Sequence, residues 1–336
     1  MIPKPTMLDY LNLRRLVDVL YDIQDVRMRT ANRLRQMPKD TVKVYVKPLL
    51  DVESNLTNEI EGLLSKIPIY TEWLYHVKGV GPRISGSIIA QTMIRFKRIT
   101  KEEYKKISQA FIETQRRVAI QPAFETQKES ASHIDSETQL NSASQSAFET
   151  HEWDASQSPC DAQRRSAFSK EQLELAQKTE KGDYLIPTLR GIGAFDTVSK
   201  YWAWWGLHTV DGKAPKRVSG KNINWNPKMR TLSWKIGKQF VMQGERYRMH
   251  YDKNKLQQTA IRMPLGVCPE YEKCLKKMRK RPKPACLGHI DAMARRYSVK
   301  MFVSHLWQRW RELEGLPVRE PYALEHLGHT TKEEPL

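Results

Sequence analysis

Cysteine is scarce, with four in 336 residues, and this excludes a disulfide-stapled scaffold. No apolar run approaches the ~18 residues that a membrane span needs, so no membrane partner is expected. The opening stretch MIPKPTMLDYLNLRRL carries charges inside its apolar positions and has no small-residue cleavage site, so it does not read as a secretory signal. Acidic charge is in deficit. Asp and Glu number 38 against 56 Lys and Arg, a formal net charge of +18. The apolar fraction of 40% is slightly low and the charged fraction of 28% slightly high, the profile of a globular chain with a polar segment. At about 150 residues per domain the length suggests two domains with ample core. What remains is a soluble cytoplasmic protein, associated with the nucleoid. Its charge calls for a polyanionic partner, of which nucleic acid is the commonest.

The charge is unevenly spread. Residues 121–163 hold eight acids and one base, Lys128. Residues 213–256 hold twelve bases against two acids, and residues 268–319 thirteen against five. Solubility alone favours mixed signs over such one-sided blocks. The acidic segment also repeats with a 12-residue period: Glu-Thr stands at 125–126, 137–138 and 149–150. The period is too short for a solenoid unit. The units are too polar to offset their ordering entropy by burial. Residues 118–168 therefore read as a disordered insertion, or as an acidic strip that folds back on the basic surface and competes with nucleic acid.

The fold class is mainly α. Residues 7–35 read as a helix, with Leu13, Leu16, Leu20 and Ile23 three and four apart, broken by Pro38. A second helix over 49–66 carries Leu49, Val52, Leu56, Ile60 and Leu63 on one face. Together they make a helical hairpin or short coiled coil across 1–68. Residues 69–117 contain Gly79-Val80-Gly81-Pro82 between two helices, the pattern of a helix-hairpin-helix. Gly79 and Gly81 permit a tight turn, Pro82 suits a first helical turn, and the helix adds its positive end. Exposed amides there, with Arg83, would hold a phosphate. The alternative is a packing corner whose glycines serve close approach.

A further helix is expected over 100–117, and others over 169–180, 226–242, 246–258 and 289–314 within the remainder of the domain, 169–315, which is followed by a tail, 316–336. In the aromatic helix 198–207, Tyr201, Trp202, Trp204 and Trp205 cannot share one face, so at least two belong to the core. Residues 208–224 form a polar loop. Cys268, Cys274, Cys286 and His289 stand as C-x5-C-x11-C-x2-H. Three thiolates and an imidazole make a closed structural zinc site; the alternative is three ordinary thiols and a histidine capping the last helix.

The motifs also have a telling order. VKGVGPRISGSIIA (77–90) is followed by FDTVSKYWAWWGLH (195–208), a basic loop with Ser219-Gly220-Lys221, NPKMRTLSWKIG (226–237), YRMHYDK (247–253) and HIDAMARRYSVKMFVSHLW (289–307). This resembles the C-terminal transposase domain of the DEDD-type insertion-sequence transposases, the family that includes the RNA-bridged recombinases. The resemblance covers 40–110 and 184–310 in pieces. It implies DNA as partner, with a guide RNA and self-association as further possibilities. It also implies that Ser219 is the nucleophile that attacks a DNA phosphate in strand transfer. A serine in that role needs nearby positive charge, which Lys216, Arg217, Lys221 and Arg230 could supply. Lys228, Lys235, Arg295 and Arg296 extend the expected nucleic-acid surface. The alternative for Ser219 is a flexible basic loop that only touches phosphate; the loop has one glycine fewer than the family's S-G-G-K.

The family also carries a RuvC-like domain whose acids bind metal ions. Asp9, Asp18, Asp22 and Asp25 lie along a helix with no strand pattern around them, and no DEDD site can be placed. Magnesium therefore stays open. So do three functional readings: a transposase, a non-catalytic DNA-binding descendant, and an RNA-binding or structural protein.

Overall fold

The computed structural model describes residues 5–113, 168–210, 214–220, 222–262 and 287–319. Its described residues are mainly helical, as expected. They fall into two compact units, Met1–Arg95 with Leu189–Leu336, and Phe96–Thr188. The break therefore comes at Phe96 and Thr188, not at the ends of the acidic insertion. Of that insertion only Phe168 lies within the described residues; it is buried.

The first unit opens with α1 (Met7–Arg33). Thr6 and Asp9 start it with a reciprocal capping box: the Asp9 N–H donates to Thr6 Oγ1 at 3.2 Å and the Thr6 N–H to Asp9 Oδ2 at 2.8 Å. The Thr6 hydroxyl, which donates to Asp9 Oδ2 at 2.7 Å, and then the Thr6 N–H hold the Asp9 carboxyl below its ordinary range. Helix α2 (Lys39–Leu64) starts ten residues before the expected 49 and carries Pro48 inside it. A proline removes one ladder bond and bends a helix without always ending it, and packing along α1 holds the two helices together here. The buried apolar residues of this hairpin all lie at its base: Tyr10, Leu11, Leu13, Val17 and Leu20 of α1 and Ile60 and Leu64 of α2. Between Leu20 and Glu53 no residue is buried. Glu53, 1% exposed, pairs with Arg27 and with Arg83 (Nη1 at 3.2 Å), so this buried carboxylate ties both hairpin helices to the helix that carries Arg83.

Short α3 (Pro68–Glu72) and a 3-10 turn (Leu74–His76) lead to α4 (Pro82–Met93). α4 packs on both α1 and α2. The approach is closest at Gly86, where an added Cβ would lie 2.8 Å from Ile60 Cγ2 and 3.4 Å from Val17 Cγ2.

The other half of this unit begins after Leu189. Arg190 seals the C-terminal end of α4, donating from Nη2 to the Gln91 carbonyl at 3.1 Å and from Nε to the Thr92 carbonyl at 3.3 Å. Burial brings its guanidinium pKa down to about 10. Within this unit, the later helices are α7 (Val198–Trp204), α8 (Pro227–Gln243), α9 (Glu245–Arg262) and α10 (Leu287–Leu313). α10 is the axis, packing against α9, α8 and α7. Phe302 stands at its centre, stacked on Trp73 at 5.6 Å and edge-on to Phe240 and Tyr247 at 5.4 and 5.5 Å. Of the four aromatics in α7 and its cap, Tyr201 and Trp205 are fully buried and Trp202 and Trp204 half-buried, the division the sequence required.

The second unit holds α5 (residues 101–113) and α6 (Lys170–Glu174), far shorter than the helix expected over 169–180. It also holds most of a three-stranded sheet of order β1-β3-β2, from β1 (Ile94–Ile99), β2 (Gln177–Lys178) and β3 (Tyr184–Leu189). β2 and β3 are antiparallel, with Gln177 opposite Leu185 and Lys178 opposite Tyr184. Nothing in the sequence reading anticipated strands. In β1 only Ile94 and Ile99, five residues apart, are buried, so the period-2 signal of a strand is missing. Ile99, Phe168, Leu173 and Ile186 form this unit's core, and Tyr104 stacks on Tyr184 at 3.9 Å.

Replacing Gly86 with Val should lower folding stability by about 1–3 kcal/mol through overpacking against Ile60 and Val17. Urea unfolding of the variant and the parent measures this; an unchanged midpoint would mean that the hairpin base is loosely seated.

Candidate nucleic-acid interface

The hairpin between the 3-10 turn and α4 is built as the glycine pattern suggests, with one difference. Gly79 sits at φ +89°, in the left-handed region. Gly81 sits at φ −75°, where any residue fits, and a Cβ there would meet nothing. The Val80 N–H donates to the Val77 carbonyl at 3.0 Å, and the Ile84 and Ser85 N–H groups both donate to the Gly81 carbonyl at 3.0 Å. Pro82 has no N–H to place. Among the described residues, the N–H groups of Gly81 and Arg83 have no backbone acceptor. They stand at the positive end of α4. Gly79 also approaches α8 closely: a Cβ there would lie 3.3 Å from Gln239 Cβ and 3.4 Å from the Gln239 carbonyl carbon.

That seating opens a cleft of about 770 Å³ between the hairpin, α1 and α8. Gly79, Gly81 and Arg83 line one side, and Trp234, Lys235 and Lys238 the other. No carboxylate is among the lining residues. Lys235 Nζ lies over the Tyr21 ring, 4.5 Å from its centroid, and burial pushes its pKa down. Lys238 Nζ lies over the Trp234 ring at 4.5 Å, and Trp234 is 56% exposed. Among the described residues, no acid pairs with Lys235 or Lys238. Two uncompensated ammonium groups, two helix-end amides and an exposed indole thus share one cleft. Such a surface holds a phosphate backbone by charge and amide donors and a base by stacking.

The other residues expected on this surface divide by partner. Arg83 lines the cleft, but its guanidinium is engaged, with Nη1 3.2 Å from Glu53 and Nε donating to Thr57 Oγ1 at 2.8 Å. Lys228 pairs with Asp18 at 2.6 Å and Arg295 with Asp291 at 2.5 Å. Arg230 and Arg296 meet no carboxylate among the described residues. Lys216, Arg217 and Ser219 lie exposed on the loop before α8, with Gly220 at φ +75° turning it. Lys221 lies outside the described residues.

The sequence reading passed over Trp234, Lys238 and Tyr21. The i, i+4 spacing of Trp234 and Lys238 was visible, but the same spacing marks an ordinary exposed helix face. Only the hairpin's position makes it one wall of a cleft.

Of the proposed zinc ligands, Cys268, Cys274 and Cys286 lie outside the described residues; His289 stands in the first turn of α10. Among the described residues, no group of three or more His, Cys, Asp or Glu side chains is placed to hold a metal. Three of the α1 acids are engaged elsewhere: Asp9 with Thr6, Asp18 with Arg14 and Lys228, Asp25 with Arg29. Engaged in this way, these three carboxylates do not fit a divalent-ion centre. No helix among the described residues is long and apolar enough to cross a membrane. No protein-family model, curated protein or solved structure matches the chain significantly.

The two hairpin glycines should respond differently to substitution. Gly79→Ala should cost about 1–2 kcal/mol of stability from its left-handed backbone alone, with the contact at Gln239 adding to it. Gly81→Ala should stay within about 0.5 kcal/mol of the parent. Denaturant unfolding of both variants compares them directly; equal losses would contradict the backbone assignment.

Proposed function

We propose that this chain is a DNA-binding protein of the DEDD-transposase type, gripping the sugar–phosphate backbone in the cleft between its glycine hairpin and α8. The observation that carries this reading is the pairing of the α4 amides with Lys235 and Lys238, two cations without an acid partner among the described residues, in a chain of net charge +18. The ordered motifs from VKGVGPRISGSIIA to HIDAMARRYSVKMFVSHLW support the transposase class. In that class Ser219 would attack a DNA phosphodiester: the Ser219 Oγ–P bond forms, one P–O bond to deoxyribose breaks, and the leaving deoxyribose oxygen takes up a proton in place of the one lost by the serine. Its place on an exposed turn leaves the hydroxyl accessible to a duplex.

A second reading is a DNA-binding protein without bond chemistry. The engagement of Asp9, Asp18 and Asp25 favours it, because these acids are bound to hydroxyl or cationic partners and not gathered into a cluster.

Binding to duplex DNA, followed by fluorescence anisotropy over a range of salt, tests the shared premise. Affinity should fall steeply with salt, at about −0.9 in log–log slope per phosphate contact. The double variant Lys235→Ala/Lys238→Ala should make that slope shallower by roughly 1.8, two contacts' worth. A salt-independent affinity would remove the reading. For the chemistry, Ser219→Ala should abolish a covalent protein–DNA adduct detected by mass spectrometry while leaving duplex affinity unchanged. An adduct that persists in the variant would reject Ser219 as the nucleophile.

A further inference from the structure

A second group of cations lies at the start of α8, away from the hairpin glycines in sequence. Arg230 stands on α8, Arg296 and Lys300 lie four residues apart on one face of α10, and His208 follows α7. Arg296 Nη2 donates to the His208 carbonyl at 2.8 Å, which fixes α10 to the beginning of the loop that carries Ser219. The guanidinium of Arg230 lies over the Trp225 ring, 4.9 Å from its centroid, and Lys300 Nζ over the Trp202 ring at 4.2 Å. The Trp202 indole N–H donates to the Lys300 carbonyl at 3.2 Å, so this indole is fixed under its cation. Gly206, at φ +68°, allows the whole arrangement to close: a Cβ there would lie 3.2 Å from Arg230 Cδ and from Trp225 Cδ1.

These groups are close enough to act on one another. Burial lowers the Lys300 pKa first, and Arg296 lowers it further. Burial likewise lowers Arg296, with Arg230 adding to it. The His208 ring is pushed down by burial, then by Arg296, with smaller contributions from Arg230 and Lys300. The Ala203 carbonyl pulls the other way without reaching hydrogen-bond geometry. Among the described residues, no carboxylate lies within ion-pair distance of Arg230, Arg296 or Lys300. Arg230 Nη1 and both ring nitrogens of His208 are buried without a hydrogen-bond partner among those residues.

Such a group is costly as it stands. Like charges four apart on a helix repel, desolvated cations need a counter-charge, and buried polar nitrogens need partners. The aromatic faces offset part of this and accept none of the open N–H bonds. One small oxyanion would meet all of these needs together. Its charge balances the cations, and several acceptor oxygens suit guanidinium, ammonium and imidazole donors. All four side chains are half-buried rather than sealed.

We propose that Arg230, Arg296, Lys300 and His208 form a binding site for a single phosphate group, at the point where the Ser219 loop leaves α7 and returns to α8. The anion chemistry rests on these four residues alone. Only the identification of that phosphate with one in a DNA strand rests on the nucleic-acid reading above. Within that reading, the cleft tracks the backbone and this second site holds one phosphate beside the loop with the reactive hydroxyl.

The test uses the full chain with inorganic phosphate as probe, against chloride at equal ionic strength. Phosphate should raise the thermal midpoint saturably in the parent, and Arg296→Gln and Lys300→Met should each remove that rise. Lys235→Ala/Lys238→Ala should retain it, which separates this site from the cleft. The His208 ring gives a readout that needs no variant. Its titration, followed by NMR, should move to higher pH when phosphate is present, because a bound anion stabilises the imidazolium. An unmoved His208 titration, or a phosphate response kept in both single variants, would overturn the proposal. Short duplex DNA supplies the second arm. Competition between duplex and phosphate assigns the site to a phosphodiester, and independent binding assigns it to free phosphate; either result supports the phosphate chemistry. Loss of duplex binding in the cleft variant bears only on the cleft.

Discussion

Gly79 lies tightly against Gln239 of α8, where an added Cβ would come within 3.3 Å of Gln239 Cβ, and the character of the candidate surface follows from that approach. Because the hairpin comes this near, the first amides of α4 and the lysines of α8 border the same space. A helix end alone is a weak anion site, worth a fraction of a kcal/mol when exposed to solvent. A pair of lysines on an exposed helix face is only a solvated surface. Placed across one cleft, each supplies what the other lacks: fixed donors on one side and charge on the other. Left-handed backbone at Gly79 also turns the chain into α4 directly after this contact, so one residue sets both the turn and its seat.

The distribution of acids decides which of the chain's many cations remain available. Glu53 takes up Arg27 and Arg83, Asp18 takes up Arg14 and Lys228, and Asp291 takes up Arg295. These pairs fasten helix to helix or strengthen single helices. Lys235 and Lys238 in the cleft, and Arg230, Arg296 and Lys300 beside the Ser219 loop, have no such acid among the described residues. Arg230, Lys235 and Lys300 are half-buried over aromatic rings, which tolerate a cation in a dry place without neutralising it. Charge that is desolvated yet uncompensated acts more strongly on an incoming anion than the same charge in water.

Much of the helical scaffold could be read in the chain. The apolar spacing in α1, α8 and α10 is sustained over several turns, and the caps at Thr6 and Asn226 are ordinary start signals. Two local readings failed for identifiable reasons. The helix expected from residue 49 begins instead at Lys39, because pairing with α1 outweighs the one ladder bond missing at Pro48. The strands were hidden because β1 buries only its ends and β2 is two residues long. At the site, the hairpin glycines were legible as a pair, although only Gly79 needs a glycine's backbone freedom. Arg83 looked like a phosphate ligand because it follows the turn, yet its guanidinium belongs to a carboxylate thirty residues earlier.

The amino-acid sequence by itself determined the helical class, the excess of positive charge, the glycine turn and the packing of the α7 aromatics. Those properties depend on composition and on spacings of a few residues, where backbone sterics and helical periodicity act. Tertiary structure alone decided which cations keep an acid partner, that Trp234 and Lys238 face a glycine hairpin, and that Arg296 reaches the His208 carbonyl. These choices join residues separated by tens to hundreds of positions. Electrostatic compensation and desolvation depend on distance in space, and no local pattern encodes it.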